Sequence, residues 1–510
     1  MPASAMRRFG ATVLDPDTAE RVGDEPAPSP VAYVTDRLLL PGLTPGQLDD
    51  SRSLLEELGR EMGFTVSVLP SAVVGIAQEL GYAERLGEVA QTAVRLVPDQ
   101  GRVGPPVDAW AVLQRARALK GREVSRWSLN HVLMSAGYTS GVGYTSGVGY
   151  TSGVGYTSGV GYTSGVGYTS GVGYTSGVGL PGSPAGRGPV VLEVPQPAPR
   201  GKSSPVVAIL DTGLGRHGWF DGSPLVEHDP RLPDGTAVGL RFSASEDPEG
   251  TGVTLGDVNE TLDPLAGHGT FVAGVVRQHC PDAHLIIVPV MHGDGSSDER
   301  DLIEALTALA VWHWAAVDGK GTGKPVDVIN LSMGYYRESE GAVEDETALF
   351  GILRTLANDG VAVVAAAGNG GTTERFWPAA LAGQAGTRVP VTSVGATNPT
   401  GGAVAVFSNT GPWVSTYASG VAVVSTMPVT LDGSLRGDVA VPVGTHRARS
   451  TPDPDCYETG FGVWSGTSFS SPCTAGRVSA ALSRAPVAAD RRSRAKQVAA
   501  AVAEIVGAGS

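Results

Sequence analysis

Three short motifs in this sequence carry side chains that together can perform nucleophilic catalysis. Asp211 lies in the run Asp-Thr-Gly, His268 begins His-Gly-Thr-Phe-Val-Ala-Gly, and Ser468 lies in Gly-Thr-Ser-Phe-Ser-Ser-Pro. A serine hydroxyl is a weak nucleophile at neutral pH, so it needs an imidazole to accept its proton and a carboxylate to orient that imidazole. The chain therefore contains a candidate acid, base and nucleophile, in that order.

Each motif adjoins a segment that would hold its side chain in place. The apolar run 206–210 directly precedes Asp211 and is typical of a buried parallel strand. His268 and Ser468 each precede small and apolar residues, which favour the first turns of a buried helix. The sequence therefore predicts an α/β domain in which the end of a strand and the starts of two helices position the three groups.

Two further runs occur between the second and third motifs. Residues 361–367 are apolar and end in Gly368-Asn369-Gly-Gly, and residues 327–334 read Asp-Val-Ile-Asn-Leu-Ser-Met-Gly. Any one of these motifs alone would more often be a turn, a buried histidine or a helix cap. Jointly and in this order, they resemble the subtilisin-like serine proteases, the subtilase or peptidase S8 family, which also use the order Asp, His, Ser.

This resemblance implies a fold and a set of site residues. The fold is a three-layer α/β domain, residues 201–510, with a mainly parallel sheet covered by helices on both sides. The family's catalytic groups match Asp211, His268 and Ser468, with Asn369 donating its side-chain amide to the developing oxyanion. The family's substrate-binding strand pairs with an extended peptide, and the matching substrate-binding residues are Ser332, Met333, Gly334 and Gly368.

The implied function is that of a serine endopeptidase acting on protein or peptide substrates. Two alternatives remain open: a catalytically silent protein that binds peptides in the same cleft, and a narrow processing protease that acts on one partner. The sequence departs from the family pattern after the nucleophile, where Phe469 replaces the usual methionine. Phe469 is larger and stiffer, so we expect the packing behind Ser468 to adjust.

Composition limits the other classes of function. The 510 residues are enough for more than one domain, 41% of them are hydrophobic, and no run approaches the ~20 apolar residues of a membrane span. A net charge of −14 argues against a nucleic-acid partner.

We predict a disordered N-terminus at residues 1–30, an α+β domain at 31–135, a low-complexity linker at 136–200 and the peptidase domain at 201–510.

Residues 31–135 show their own pattern of strands and helices. Strands are predicted near 31–40, 64–69, 90–97 and 124–133, with helices at 44–62 and 107–119 and an extra helix at 72–88. This β-α-β-β-α-β order is ferredoxin-like, and it also resembles the propeptide of subtilisin-like proteases, which inhibits the enzyme temporarily. Intramolecular inhibition by residues 31–135 is therefore one hypothesis, and an unrelated regulatory or partner-binding domain is the other.

A hexapeptide repeat separates these two regions. Gly-Tyr-Thr-Ser-Gly-Val occurs seven times without change from Gly137 to Val178. An even period is compatible with a hairpin or a β-helix, but two glycines in every six residues make ordering costly. We therefore predict a flexible linker.

No cofactor or metal is required by these motifs. A structural calcium ion is an alternative, because several acidic residues lie in the stretch 217–264, namely Asp247, Glu249, Asp257, Glu260 and Asp263. No complete ligand spacing occurs there, so a solvated acidic loop is the default.

No apolar signal segment follows Arg7 and Arg8, which predicts a cytoplasmic protein, although most of the family is exported and secretion remains the alternative. Three cysteines do not form a disulfide framework.

Overall fold

The structure is a computed structural model that describes most of the chain. It covers residues 1–23, 25–87, 89–101, 106–136, 187–193, 195–255, 260–339, 348–383, 386–436, 440–443, 446–450, 452–488 and 490–507. The predictions for the hexapeptide repeats and for Asp257 lie outside these residues.

The N-terminal region is a small antiparallel sheet with helices packed against it. Its elements are α1 Ala3–Phe9, β1 Ala11–Val13, β2 Ala32–Pro41, α2 Pro45–Met62, β3 Phe64–Leu69, α3 Val74–Glu79, α4 Ala83–Gly87, β4 Gln91–Pro98, α5 Ala109–Lys120 and β5 Ser128–Ser135. The main strands pair antiparallel in the order β5-β2-β4-β3.

Local sequence signals explain where these helices begin and end. Helix α2 starts with a capping box, in which the Gln47 side chain accepts a hydrogen bond from the Thr44 backbone, and it stops at Gly63 with φ 81°. Leu55 of α2 and Leu113 of α5 are fully buried in the core that these helices share with the sheet. The apolar face of each helix therefore covers one side of the N-terminal sheet.

The prediction of disorder for residues 1–30 is wrong for its first part. Helix α1 is ordered there, and β1 pairs antiparallel with β2. Phe9 packs against Val34, and the Arg8 guanidinium lies 2.8 Å from the Asp294 carboxylate. So short a helix has little periodicity to detect, and it is stabilised by contacts with residues that are distant in sequence.

The C-terminal region contains the parallel sheet and most of the remaining strands of the chain. Its strands are β6 Gly188–Pro189, β7 Val206–Asp211, β8 Val226–Glu227, β9 His284–Pro289, β10 Ser296–Asp298, β11 Val328–Leu331, β12 Met333–Gly334, β13 Ala362–Ala366, β14 Thr392–Thr397, β15 Thr416–Ser419, β16 Val423–Thr426, β17 Ala440–Val443, β18 His446–Ser450 and β19 Phe461–Trp464. Its helices are α6 His268–His279, α7 Glu299–Val317, α8 Ala348–Asn358, α9 Thr467–Ser483 and α10 Arg491–Gly507.

The central sheet has seven strands in the order β15-β14-β13-β11-β7-β9-β8, and every neighbouring pair is parallel. Strand β7 alternates between two cores. Ala208 and Leu210 face the core that contains α7 and α8, whereas Val207 and Ile209 face the core that contains α6, α9 and α10. The predicted α/β fold, a mainly parallel sheet between two helical layers, is confirmed.

The end of the predicted linker also packs on the C-terminal region. Strand β6 pairs antiparallel with β19. Arg187, only 1% exposed, donates hydrogen bonds to the backbone carbonyls of Asp263 and Pro264. Residues 187–190 are therefore part of this region. Their placement depends on pairing such as that of Pro189 with Gly462, 273 residues later, and has no local sequence signal.

The two regions share a sheet and a core. Strand β5 pairs antiparallel with β10 and β12, so strands of the C-terminal region extend the N-terminal sheet. The other face of that sheet packs on α7 and α8, where Leu39 and Leu133 join one continuous apolar cluster with Leu306 and Leu353. The N-terminal region is thus held by main-chain pairing and by apolar packing.

Two smaller findings concern cysteines and membranes. Cys280, Cys456 and Cys473 are all unpaired. Within the described part of the chain, no helix combines the length and the apolar character needed to cross a bilayer.

His131 in β5 forms an ionic contact between the two regions. Its Nδ1 lies 2.6 Å from Glu299 Oε2 and its Nε2 lies 3.0 Å from Glu338 Oε2. Burial alone would lower the pKa of His131, but the charges of Glu338 and Glu299 outweigh burial and raise it to about 9. Burial would likewise raise the pKa of Glu338, yet the His131 charge holds it well below its usual range.

This contact predicts a pH-dependent interface. Because the pKa of His131 is raised, its stabilising contribution is complete below the free imidazole value of about 6.5 and is lost as the pH rises through about 9. In that interval the equilibrium constant that favours the folded state, with the two regions in contact, should fall by about tenfold per pH unit. We expect the melting temperature of the full-length protein to fall over this interval more steeply with His131 present than in the His131→Gln variant. Both proteins carry Ser468→Ala, which removes the candidate nucleophile. Equal slopes would contradict the assignment.

Candidate active site

The parallel sheet and two helices bring the candidate residues to one edge. Asp211 is the last residue of β7, Ser332 follows β11, and Asn369 lies three residues after β13. Since β13, β11 and β7 are adjacent and parallel, their carboxyl ends lie side by side. Helix α6 begins at His268, and Ser468 is the second residue of α9.

The three candidate catalytic side chains form a hydrogen-bonded chain. The His268 Nδ1 atom lies 2.7 Å from Asp211 Oδ1, and His268 Nε2 lies 3.0 Å from Ser468 Oγ. All three residues are buried. An ionised Asp211 requires a proton on Nδ1, which leaves Nε2 free to accept the proton of the serine hydroxyl.

Asn369 is oriented by the first residue of the helix that carries Ser468. Its Oδ1 accepts hydrogen bonds from the Thr467 backbone N–H and from the Thr467 hydroxyl, both at 2.9 Å. An amide oxygen engaged in this way leaves Nδ2 as the donor. That Nδ2 donates to the backbone carbonyl oxygen of Ala136.

The predicted substrate-binding residues lie beside this group. The Ser332 hydroxyl donates to the Ser468 carbonyl oxygen at 3.0 Å, and the Gly368 N–H donates to the Thr467 hydroxyl at 3.1 Å. Met333 and Gly334 form β12, whose backbone pairs with Ser135 and Met134 of β5. The structure therefore brings all eight predicted site residues, from strands, loops and helices, into one cleft.

The segment bound in this cleft belongs to the chain itself. The Ala136 N–H donates to the Ser332 carbonyl oxygen at 2.8 Å, and the Ala136 carbonyl oxygen accepts from Asn369. Ser135 Oγ lies 3.4 Å from His268 Nε2. Sequence reasoning did not single out Ala136, although it is the last residue before the repeats.

Two polar residues missed from the sequence connect β11 to α9. The Asn330 side-chain amide donates to the Ser332 hydroxyl at 3.0 Å, and Asn330 Oδ1 accepts from the Ser471 hydroxyl at 2.7 Å. All three side chains are fully buried. Asn330 lies in a sequence typical of a strand and Ser471 in one typical of a helix. Neither sequence indicates the hydrogen bond that joins the two side chains.

Phe469 packs as part of an aromatic group behind the nucleophile. Its ring centroid lies 4.5 Å from that of Phe271, 5.4 Å from that of Trp464 and 5.3 Å from that of His268. The ring is completely buried. These aromatic partners accommodate the larger side chain and also surround the imidazole with apolar surface.

Glu249 is a third missed residue, and its predicted position in a solvated acidic loop is wrong. Its side chain is buried against the first turn of α6. Glu249 Oε1 accepts from the Gly269 N–H at 2.9 Å and from the Thr212 hydroxyl, while Oε2 accepts from the Thr270 hydroxyl at 2.6 Å. Burial raises the pKa of Glu249 to about 7, and the Thr212 and Thr270 hydroxyls oppose that rise.

Glu249 and Asp263, two of the acidic residues considered for calcium, contact different partners. Glu249 is engaged at α6, and the Asp263 carboxylate accepts from the backbone N–H groups of Thr254 and Leu255. Among the residues that the structure describes, the group of three or more potential metal ligands whose atoms lie within 4.8 Å of one another is Asp432, Asp453 and Asp455. Arg436 pairs with the first two at 3.6 Å and 3.9 Å and supplies positive charge there.

A carboxylate, an imidazole and a serine hydroxyl joined by hydrogen bonds at the carboxyl edge of a parallel sheet form the arrangement that α/β serine hydrolases use. Comparison with known families agrees with this class. The profile of the subtilase family matches residues 202–509, and the chain belongs to that family.

Individual relatives match over part of their length. The chain is 28% identical over 241 residues to the thermophilic serine proteinase of Bacillus sp. (strain AK1), covering 45% of this chain and 47% of that protein. It is 28% identical over 234 residues to subtilisin BL of Lederbergia lenta, covering 45% of this chain and 69% of that protein. The chain thus spans about half the length of the first relative and about two thirds of the second.

A solved structure also aligns with most of the chain. Fervidolysin from Fervidobacterium pennivorans, a keratinolytic enzyme related to subtilisin, covers 88% of this chain and 55% of its own, at 17% identity and a TM-score of 0.44.

The contacts of Glu249 predict a structural role next to the site. Glu249→Ala would leave the Thr212 and Thr270 hydroxyls and the Gly269 N–H with fewer buried acceptors, at a cost of about 1–3 kcal/mol for each one left unsatisfied. We expect urea denaturation to show a loss of about 2–4 kcal/mol in the free energy of unfolding.

Two control variants bracket this effect. Glu249→Gln keeps one acceptor oxygen and should lose less stability than Glu249→Ala. Glu246→Ala removes an exposed carboxylate three residues earlier and should leave the unfolding curve nearly unchanged. A Glu249→Ala protein as stable as Glu246→Ala would contradict the role assigned to these hydrogen bonds.

Proposed function

We propose that this protein is a serine endopeptidase and that Asp211, His268 and Ser468 are its catalytic triad. The observation that carries the proposal is the hydrogen-bonded chain of these three residues beside a peptide carbonyl that accepts from Asn369. The proposed substrates are extended segments of proteins or peptides, which would pair with Ser332–Gly334 as Ser135 and Ala136 do.

The proposed reaction follows from this geometry. Ser468 Oγ attacks the peptide carbonyl carbon as His268 Nε2 takes its proton, and the carbonyl oxygen becomes negative within reach of Asn369 Nδ2 and the Ser468 N–H. His268 then returns the proton to the leaving amine, which departs as the acyl-enzyme forms. Water attacks the acyl-enzyme in the second half, with His268 again as the base.

The triad is tested by labelling and by kinetics. A fluorophosphonate should label the full-length protein at Ser468, and Ser468→Ala should abolish both labelling and peptide hydrolysis. Asn369→Ala should lower kcat by about 10²–10³-fold with little change in KM, because the lost hydrogen bond strengthens only as the oxyanion forms. Labelling that survives in Ser468→Ala would contradict the proposed nucleophile.

The same experiment addresses the two alternative functions. A peptide-binding protein without catalysis would retain peptides in the cleft but show neither labelling nor hydrolysis. A narrow processing protease would be labelled but would cleave few members of a diverse peptide library.

We also propose that residues 31–135 inhibit the enzyme from within the chain, with Ala136 at the reacting position. Strand β5 lies along β12, and Ala136 engages both Ser332 and Asn369, so a substrate has no access to the same groups. The bond presented to Ser468 is then the one between Ala136 and Gly137, the first residue of the repeats.

This arrangement predicts a defined self-cleavage. Mass spectrometry of the purified full-length protein should show two products, ending at Ala136 and beginning at Gly137, whereas the Ser468→Ala protein should remain intact. The N-terminal product should stay bound at first and suppress hydrolysis of added peptides. Cleavage within residues 190–202 without cleavage after Ala136 would contradict this register.

A further inference from the structure

The direction of the Ala136 side chain in the cleft follows from the extended geometry of the bound segment. Successive side chains of an extended strand point to opposite faces. Ser135 directs its hydroxyl towards His268, so Ala136 directs its methyl group away from the imidazole. Ala136 is buried there, in the same apolar cluster as Met333 and Phe376.

Two glycines flank this location, and the ring of Phe376 fills the space between them. A Cβ atom on Gly334 would lie 2.6 Å from Phe376 Cε1, and a Cβ atom on Gly368 would lie 2.8 Å from Phe376 Cγ. Gly334 belongs to the strand that pairs with β5, and Gly368 directly precedes the oxyanion donor Asn369. The ring therefore lies between the two backbone segments that border the bound residue.

The ring is held in this place by its neighbours. The Phe376 centroid lies 5.2 Å from that of Tyr336 in an edge-to-face contact, and the Tyr336 hydroxyl accepts from the Asn409 side-chain amide at 2.9 Å. The backbone of the next residue, Trp377, exchanges two hydrogen bonds with Tyr335, at 2.8 Å and 2.9 Å. Moving the ring aside would disrupt these contacts, so the space is closed by packing rather than by a freely rotating side chain.

We propose that Phe376 is a specificity-determining residue that closes the subsite for the residue on the amino side of the cleaved bond. The enzyme then accepts alanine, glycine or serine at that position and rejects aromatic and long aliphatic side chains. The physical reason is steric, because a larger side chain would overlap a ring that cannot move away cheaply. This proposal rests on the proposed peptidase function and specifies the substrates of the same site.

The chain's own bound segment agrees with this restriction. Its residue at the reacting position is alanine, and the residue that follows is glycine. Ala136 and Phe376 are both buried in the same apolar cluster, and a methyl group adds little volume beside the ring. The small size of Ala136 is therefore what the closed subsite requires.

The proposal is tested with matched peptides that differ only at the residue before the cleaved bond. We expect the full-length enzyme, after self-cleavage, to show a kcat/KM at least about 100-fold higher for alanine than for phenylalanine. Phe376→Ala should raise kcat/KM for the phenylalanine peptide by tenfold or more while changing that for the alanine peptide only a few-fold. Phe220→Ala, the same truncation in the core on the other side of the sheet, should leave the ratio unchanged.

A second measurement uses the bound segment and does not depend on added substrate. Ala136→Phe in the full-length chain should slow self-cleavage, and combining it with Phe376→Ala should restore it, as observed by mass spectrometry. Such compensation indicates direct contact between the two positions. Additive effects of the two changes would overturn the proposal.

The outcomes separate this inference from the function on which it rests. A wild-type protein that is labelled at Ser468 but cleaves phenylalanine and alanine peptides equally would overturn the closed subsite and leave the peptidase function in place. A protein that is neither labelled nor able to hydrolyse any of these peptides would overturn both.

Discussion

The parallel direction of the seven central strands is the constraint on which the site depends. Because β7, β11 and β13 are neighbours and run the same way, Asp211, Ser332 and Asn369 emerge at one edge of the sheet. The helices that begin with His268 and with Thr467 pack on one face of that sheet, so their first turns reach the same edge. No single segment contains the site, and its geometry is therefore only as rigid as the packing of the sheet.

Buried hydrogen bonds supply the rigidity that packing alone does not. On one side, Glu249 ties the start of α6 to the residue after Asp211. On the other, the Asn330 and Ser332 side chains tie β11 to α9, and Thr467 fixes the amide of Asn369. Each buried polar group gains a partner only in one relative placement of strand and helix, so these networks set the distances between the proposed acid, base, nucleophile and oxyanion donor.

Sequence patterns predicted the parts of this structure that depend on local periodicity and on short motifs. The strand before Asp211, the helix starts at His268 and Thr467, and the strands and longer helices of the N-terminal region occur close to their predicted positions. The missed features depend on partners far apart in the chain. In the sequence, Glu249 does not differ from an exposed acidic residue such as Glu246. Its role becomes apparent only from its contacts with Gly269 and Thr270. The role proposed for Phe376 depends in the same way on its position between Gly334 and Gly368, which are distant from each other in sequence.

The register of β5 determines what cleavage would do to the proposed inhibitor. The main-chain contacts of this strand with β10, β12 and Ser332 all lie on the amino side of the Ala136–Gly137 bond, as do His131 and the apolar face that packs on α7. Breaking that bond removes none of these contacts, so the N-terminal region would remain in the cleft as a bound product. Activity would then be limited by dissociation of this region rather than by the first cleavage. On that proposal, the stability of the interface, including the charge on His131, would set the activity.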